Sequence, residues 1–331
     1  MHTMNMMKLE PAFKDYLWGG TRLKTEYNKK SDLDIVAESW ELSTHPAGQS
    51  VIRGGEYDGL TLSDYIEKAG RQVLGKNGEA FENFPVLIKF IDAKNPLSIQ
   101  VHPSDEYALR VEHEYGKTEM WYIVAARKGA QILAGLQGRA TRQQLVSRLD
   151  SPEVENLLQV YPSLPGDAYF ITSGTLHAIG GGNLILEIQQ NSDTTYRVSD
   201  WGRVDAHGNP RELHIEKGIQ SINFMNRTSP RIVGVTDHVS HNRKFDVVNS
   251  CPFFTVSDLR LTELWSDDTG SFGSFHMISA INGAVRLGKA DDPARCARLE
   301  AGETALIPAC FGSYVIVPER EGETTVVKTT L

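Results

Sequence analysis

Along residues 97–102 apolar and polar side chains alternate without a break. Leu97, Ile99 and Val101 fall on one face of an extended chain, and Ser98, Gln100 and His102 fall on the other. The wet face of an ordinary half-buried strand carries charges or threonine; here it carries a hydroxyl, an amide and an imidazole. Gln100 and His102, at i and i+2, set their Cβ atoms about 7 Å apart on one side, a span that two ligands of a single ion can close. The next clear strand signal, Glu119 to Ala125, opens on a carboxylate that can supply an anionic ligand.

Read along the rest of the chain, the same patterning predicts a mainly β protein. Glu38, Trp40 and Leu42 alternate with Ser39, Glu41 and Ser43, so residues 8–60 read as short strands and loops, with a Trp18-Gly19-Gly20 turn and with Trp18 and Trp40 as core packing. Thr61-Leu-Ser-Asp64 starts a helix over roughly 61–74, and Ser104 is placed to cap another over 105–114. Strands are predicted at 119–126 and 130–135, joined by a Lys128-Gly129 turn, and at 168–172 and 183–190. Between them Leu145, Leu149, Val154, Leu157 and Leu158 stand among polar residues and predict one or two helices in 141–161, the second starting at Ser151-Pro152. A short helix is expected at 212–222, inside an irregular polar stretch. From residue 244 onward apolar runs recur every ~8–12 residues between turn signals, the spacing of a sandwich or barrel, and end in a last strand over 324–329.

Two stretches of this pattern repeat. Pro165-Gly-Asp-Ala-Tyr-Phe-Ile-Thr-Ser-Gly-Thr-Leu-His177 parallels Ala301-Gly-Glu-Thr-Ala-Leu-Ile-Pro-Ala-Cys-Phe-Gly-Ser313, each opening on a glycine turn into a short strand. Upstream, the strand pair from Met120 parallels the one from Phe275. The chain thus divides into 1–235, which carries the candidate site and the 141–161 helices as an insertion, and 236–331, a degenerate copy with Ser313 in place of His177 and no equivalent of Gln100 and His102.

Composition narrows the function classes. A net charge of −8 over 331 residues argues against a nucleic-acid partner, which asks for basic stripes. No apolar run reaches the ~18 residues needed to span a bilayer, and Met1 to Phe13 has no apolar core of the secretory kind, so a cytoplasmic setting is expected. Cys251, Cys296 and Cys310 are three thiols at scattered spacing, expected to be buried and reduced.

The unit Gly166-x5-Thr172-x-Gly174-x2-His177 resembles the second motif of the cupin superfamily, with Thr172 where proline is usual. The resemblance implies two jelly-roll barrels with a metal inside the first, and adds His177 to give the ligand set Gln100, His102, Glu119 and His177. Two imidazoles, a carboxylate and an amide suit Zn²⁺, and also Fe²⁺, Mn²⁺ or Co²⁺. Beyond them, Glu187, Gln189 and Asn191 share one face opposite Leu186 and Ile188, which reads as a cavity wall. Arg197 follows as a permanent cation suited to an oxyanion or phosphate, and Lys94, just before the Gln100 strand, is a second cation near the mouth. The remaining histidines, His2, His45, His113, His207, His214, His238, His241 and His276, are expected on the surface or in loops.

Four segments together, Pro96-Leu-Ser-Ile-Gln-Val-His-Pro103, Lys117-Thr-Glu-Met-Trp-Tyr122, Leu176-His-Ala-Ile-Gly-Gly-Gly182 and Asn191-Ser-Asp-Thr-Thr-Tyr-Arg197, resemble the type I phosphomannose isomerases in their short bacterial form. That resemblance implies a zinc-dependent aldose–ketose isomerase acting on a sugar phosphate, as a monomer or homodimer. It carries the zinc ligands onto Gln100, His102, Glu119 and His177 and the active-site arginine onto Arg197, with Ser98 and Lys94 near the phosphate. Glu187, Lys94 or a hydroxide on the metal is the expected base for moving a proton between C2 and C1. Ser199-Asp200-Trp201 departs from the aromatic-Asp-aromatic run common there. Two other readings compete: an Fe²⁺ cupin dioxygenase, and a sugar-phosphate-binding cupin without catalysis.

Overall fold

The computed structural model describes residues 5–138, 140–149, 151–205, 207–289 and 292–331. Four sheets stack in layers. A five-stranded sheet runs in the order Tyr196–Ser199, Ile99–Val101, His177–Ile179, Gln131–Leu136, Leu158–Pro162. It faces a six-stranded sheet in the order Ala168–Ile171, Glu119–Ala126, Asn183–Gln190, Val86–Ala93, Glu38–Leu42, Ala12–Lys14. Trp18, Ile91, Trp121, Ile123, Ile132 and Ile185 fill the space between them. The other face of the six-stranded sheet, through Phe90, Met120, Leu184, Leu186 and Ile188, packs on Phe254, Val256, Phe275, Met277 and Val327 of an eight-stranded sheet. A four-stranded sheet closes the far side of that one over a core of Leu259, Ile278, Leu287, Ile307 and Ile316.

The layering explains the sequence pattern. Because the six-stranded sheet is covered on both faces, every residue of Val86–Ala93 and of Asn183–Gln190 is buried, and these strands read as near-continuous apolar runs. The charges inside them, Lys89, Asp92 and Glu187, are therefore interior charges. The outer face of the five-stranded sheet is capped by Leu145, Leu149, Val154, Ile219 and Ile222, from the expected insertion and from the helix Ile215–Ser221.

The repeat appears in the strand pairing. Glu119–Ala126 pairs with Ala168–Ile171, and Gln131–Leu136 pairs with both His177–Ile179 and Leu158–Pro162. In the second half His276–Asn282 pairs with Thr304–Ile307, and Val285–Lys289 pairs with both Ser313–Pro318 and Asp292–Leu299. The scheme is the same, with the Arg142–Val146 and Pro152–Leu157 helical turns inserted only in the first. One strand crosses between the halves: Met7–Glu10 pairs with Thr304–Ile307 and with Val51–Arg53 inside the eight-stranded sheet, so the N-terminal segment is shared by both.

Thr61 and Thr141 cap their helices, each accepting from the backbone N–H three residues on. Ser104 does not cap Asp105–Val111 with its side chain. Cys251 is half-buried and Cys310 exposed, contrary to the expectation of buried thiols; Cys296 and His2 lie outside the residues whose side chains are described. His276 is not a surface residue. It is fully buried, with Nδ1 2.8 Å from the Tyr314 hydroxyl, and burial pushes its pKa down to about 4. The reason is its strand: it lies on the inner face of the second core, beside Ile278 and Ala280.

Candidate active site

The site lies between the five- and six-stranded sheets. His102 Nδ1 is 3.0 Å from the Thr194 carbonyl oxygen, and His177 Nδ1 is 2.9 Å from that of Thr175. A carbonyl only accepts, so both imidazoles donate through Nδ1–H; the Lys117 ammonium, itself only a donor, lies 3.3 Å from His102 Nε2, which is therefore the accepting atom. Both Nε2 atoms converge on Glu119, at 3.5 Å from Oε2 for His102 and 3.4 Å from Oε1 for His177. All three side chains are buried, and one donor atom from each lies within 4.8 Å of the others. Burial pushes the His177 pKa down to about 3, so its imidazole is neutral. Burial pushes the Glu119 carboxyl up, but Lys117, His102 and His177 outweigh it and hold the group well below the usual carboxylate range.

These residues fit a divalent cation on a specific ground. Glu119 Oε1 is a buried acceptor with no hydrogen-bond partner, and leaving such an oxygen unpaired is costly. Two neutral imidazole lone pairs and one orphaned carboxylate oxygen aimed at each other are what a cation resolves. Gln100 stands at the edge of the cluster. Its Nε2 is 3.4 Å from His177 Nε2 and its Oε1 accepts from Ser98 Oγ at 3.1 Å, so a half-turn of its terminal amide is needed to offer the oxygen as a fourth ligand.

The floor of the site is a ladder of alternating charge crossing the six-stranded sheet. Glu38 Oε2 lies 3.3 Å from Lys89 Nζ, Lys89 Nζ lies 3.2 Å from Glu187 Oε1, and Lys117 Nζ lies 3.2 Å from the same oxygen and bonds Glu119. Trp40 Nε1 donates to Glu38 at 2.7 Å and Trp121 Nε1 to Glu187 at 2.9 Å. Strand register sets these neighbours: Glu187 stands opposite Lys89 on one side and Trp121 on the other. Lys89 is fully buried. Desolvation disfavours its charge, but Glu187 and Glu38 outweigh that, so its pKa is raised. With both imidazoles neutral, three carboxylates face two ammonium groups, which leaves the ladder one negative charge that a cation would offset.

A cavity of about 210 Å³ opens beside the ladder, lined among others by Tyr16, Trp18, Ser98, Lys89, Asp193 and Arg197. Arg197, whose strand pairs with Gln100, donates Nη1–H to the Glu212 carbonyl at 2.8 Å, while its Nε is buried without a partner. Among the described residues no carboxylate pairs with it. Arg211, also on the cavity wall, is neutralised by Asp200 at 2.5 and 2.8 Å. Asp200 also holds Arg203, so the Ser199-Asp200-Trp201 stretch anchors two arginines.

Of the residues expected from sequence, Gln100, His102, Glu119, His177, Glu187, Ser98 and Arg197 come together here. Lys94 does not. It is exposed in the turn after Val86–Ala93 and is not part of the cavity wall. The interior cations are Lys89 and Lys117, which the sequence reading passed over, as it did Glu38 and Asp193. A lone lysine in an eight-residue strand of mostly apolar residues, and a lysine two residues before Glu119 and so on the same face, were the available signals.

The sequence model of "phosphomannose isomerase type I, catalytic domain" matches residues 6–133. The mannose-6-phosphate isomerase ManA of Bacillus subtilis is 37% identical over 291 residues, covering 86% of this chain and 88% of that one. The mannose-6-phosphate isomerase of Streptococcus mutans is 40% identical over 248 residues, covering 75% and 76%. The crystal structure of mannose 6-phosphate isomerase from Bacillus subtilis superposes with a TM-score of 0.87 over 99% of both chains, at 33% identity.

Proposed function

The chain belongs to the type I phosphomannose isomerase family, and from that premise we infer that it interconverts mannose 6-phosphate and fructose 6-phosphate with a zinc ion held by His102, Glu119, His177 and Gln100. The observation that carries the metal is the convergence of two Nε2 lone pairs on the orphaned Glu119 Oε1. When bound, the ion supplies Lewis-acid stabilisation of the negative charge that develops on the sugar oxygens.

The chain's own residues do the rest. Isomerisation removes a proton from C2 and returns one to C1 through an enediol(ate). Glu187 accepts from two ammonium groups and an indole and so orients Lys89 and Lys117. A proton taken up at one member passes along contacts of 3.2 Å, so the ladder works as one acid–base unit whose pKa values belong to the group. Lys94 has no place in this chemistry. Arg197, with its unpaired Nε on the cavity wall, binds the phosphate or the developing oxyanion. Trp18, Leu97 and Ile91 on the same wall exclude water from the reacting carbons.

Two measurements test the reading. Purified protein with mannose 6-phosphate should form fructose 6-phosphate in a coupled assay. Treatment with a chelator should stop it, and Zn²⁺, Co²⁺ or Mn²⁺ should restore it; undiminished turnover by metal-free protein refutes the mechanism. Arg197→Ala should lower kcat/KM by about 10²–10³-fold while metal content by elemental analysis stays at the wild-type level. A variant that turns over at near wild-type rate removes Arg197 from the site's chemistry.

A further inference from the structure

Thr194, whose carbonyl fixes the His102 tautomer, sits in the 191–195 segment between the strands Asn183–Gln190 and Tyr196–Ser199. Its first residue is tied from outside the cavity, Asn191 donating its backbone N–H to the Pro85 carbonyl and its amide to the Thr44 hydroxyl, both at 2.9 Å, and the Asp193–Thr194 part is held by one side chain. The Glu114 carboxylate, after the helix Asp105–Val111, accepts from the Asp193 backbone N–H at 3.2 Å and from the Thr194 hydroxyl, and its Oε1 lies 2.7 Å from His45 Nε2. His45 in turn packs edge-on against Trp40, with ring centroids 5.8 Å apart. A third tie comes from inside the sheet: Gln189 Nε2 donates to the Ser192 carbonyl at 2.6 Å.

We propose that Glu114 is a positioning residue for the metal centre, acting through the backbone of Thr194 to keep His102 Nε2 aimed at the ion. The route is short: carboxylate to Thr194 hydroxyl, Thr194 carbonyl to His102 Nδ1–H, imidazole to metal. Two of its steps are hydrogen bonds whose loss frees a neighbour rather than a whole element. Without Glu114 the segment keeps its ties at Asn191 and Ser192 but loses the contacts on Asp193 and Thr194, and the imidazole can turn about its side-chain torsions. Partners one bond removed from a metal ligand fix its tautomer and orientation, and their loss weakens metal binding by about 10–100-fold. Burial pushes the Glu114 carboxyl up, but His45, Thr194 and the Asp193 N–H outweigh it and keep it ionised, so the acceptor is always available. Glu112, two residues earlier, is the natural control: it accepts from the Tyr196 hydroxyl at 2.8 Å and from Lys217 at 2.7 Å, with no contact to the 191–195 backbone.

This inference rests on the metal reading above, and the test separates the two. Zinc-loaded wild type, Glu114→Ala, Glu112→Gln and His102→Ala are challenged with a chromogenic chelator, and zinc release is timed. The melting temperature of each metal-free protein is measured alongside. Glu114→Ala should release zinc about 10–100-fold faster, Glu112→Gln at the wild-type rate, and the metal-free Glu114→Ala protein should melt within a few degrees of wild type. Zinc release from Glu114→Ala within roughly twofold of wild type, while His102→Ala loses its metal, overturns the positioning role. So does faster release that merely accompanies a large drop in the melting temperature of the metal-free protein. Retention of zinc by His102→Ala overturns the metal reading and this inference with it. Glu114→Met, which keeps the side-chain length but offers no such acceptor, takes the place of the alanine variant if that one does not fold.

Discussion

Glu119→Gln is expected to abolish isomerisation almost completely and to strip the protein of its metal. The substitution changes one oxygen to an amide nitrogen and keeps the volume, so packing around a fully buried side chain is preserved. What it removes is the one anion of the ligand set and the partner of Lys117. Two neutral imidazoles and an amide then offer a divalent ion no charge, and the Lys117 ammonium beside them repels it. Metal assistance is worth several kcal/mol to a developing oxyanion, so turnover should fall on the order of 10³-fold. Metal content after dialysis and kcat with saturating added Zn²⁺ check it. A variant that stays metal-free yet turns over at more than about a tenth of the wild-type rate would remove the metal from the chemistry. Fold loss is not expected to cloud the result, because Lys117 keeps Glu187 as a counter-ion at 3.2 Å.

How far the sequence foretold this centre depends on the face each residue occupies. Gln100 and His102 were legible because a half-buried strand alternates, and donors where solvent-facing charges belong stand out; Glu119 was legible as the carboxylate that opens the next strand. Glu187 was legible by alternation, against Leu186 and Ile188. Lys89 and Glu38 were not, because the six-stranded sheet is buried on both faces. The Lys89 strand reads as an apolar run with no period to violate, and in the alternating Glu38 strand nothing local says whether Glu38 or Glu41 faces the site. Lys94 shows the converse. Adjacency to the Gln100 strand suggested a place at the mouth, but a residue in the turn after a strand inherits no direction from it. Pairing across long separations, such as Met7–Glu10 with Thr304–Ile307, leaves no local trace either. The duplicated strand scheme did, because in each copy a glycine turn, Gly166 and Gly302, opens the same short strand.

The interior ladder makes a second prediction whose size comes from electrostatics. Lys89→Met should cost about 3–5 kcal/mol of stability, the usual consequence of removing one partner from a buried ion pair. It leaves Glu38 and Glu187 facing each other across the site with no cation between them. The effect has a defined pH dependence. Burial already pushes the Glu38 carboxyl above its ordinary range, with Lys89 pulling it back; without Lys89 it rises further. A carboxyl whose folded pKa exceeds its unfolded value keeps its proton in the native state when the unfolded chain has lost it. Stability therefore falls as pH rises from the unfolded value, about 4.3 for a glutamate, towards the folded one. The variant should lose more stability, relative to wild type, at about pH 8 than at about pH 5.5, as read from urea midpoints at constant slope. Adding Glu38→Gln should recover much of the loss, since it deletes the like charge. It should not recover turnover, which falls about 10²–10⁴-fold if Lys89 moves or holds the proton between C2 and C1. A double variant that regains both would make Lys89 a structural counter-ion and place the proton transfer at the Lys117 end of the ladder.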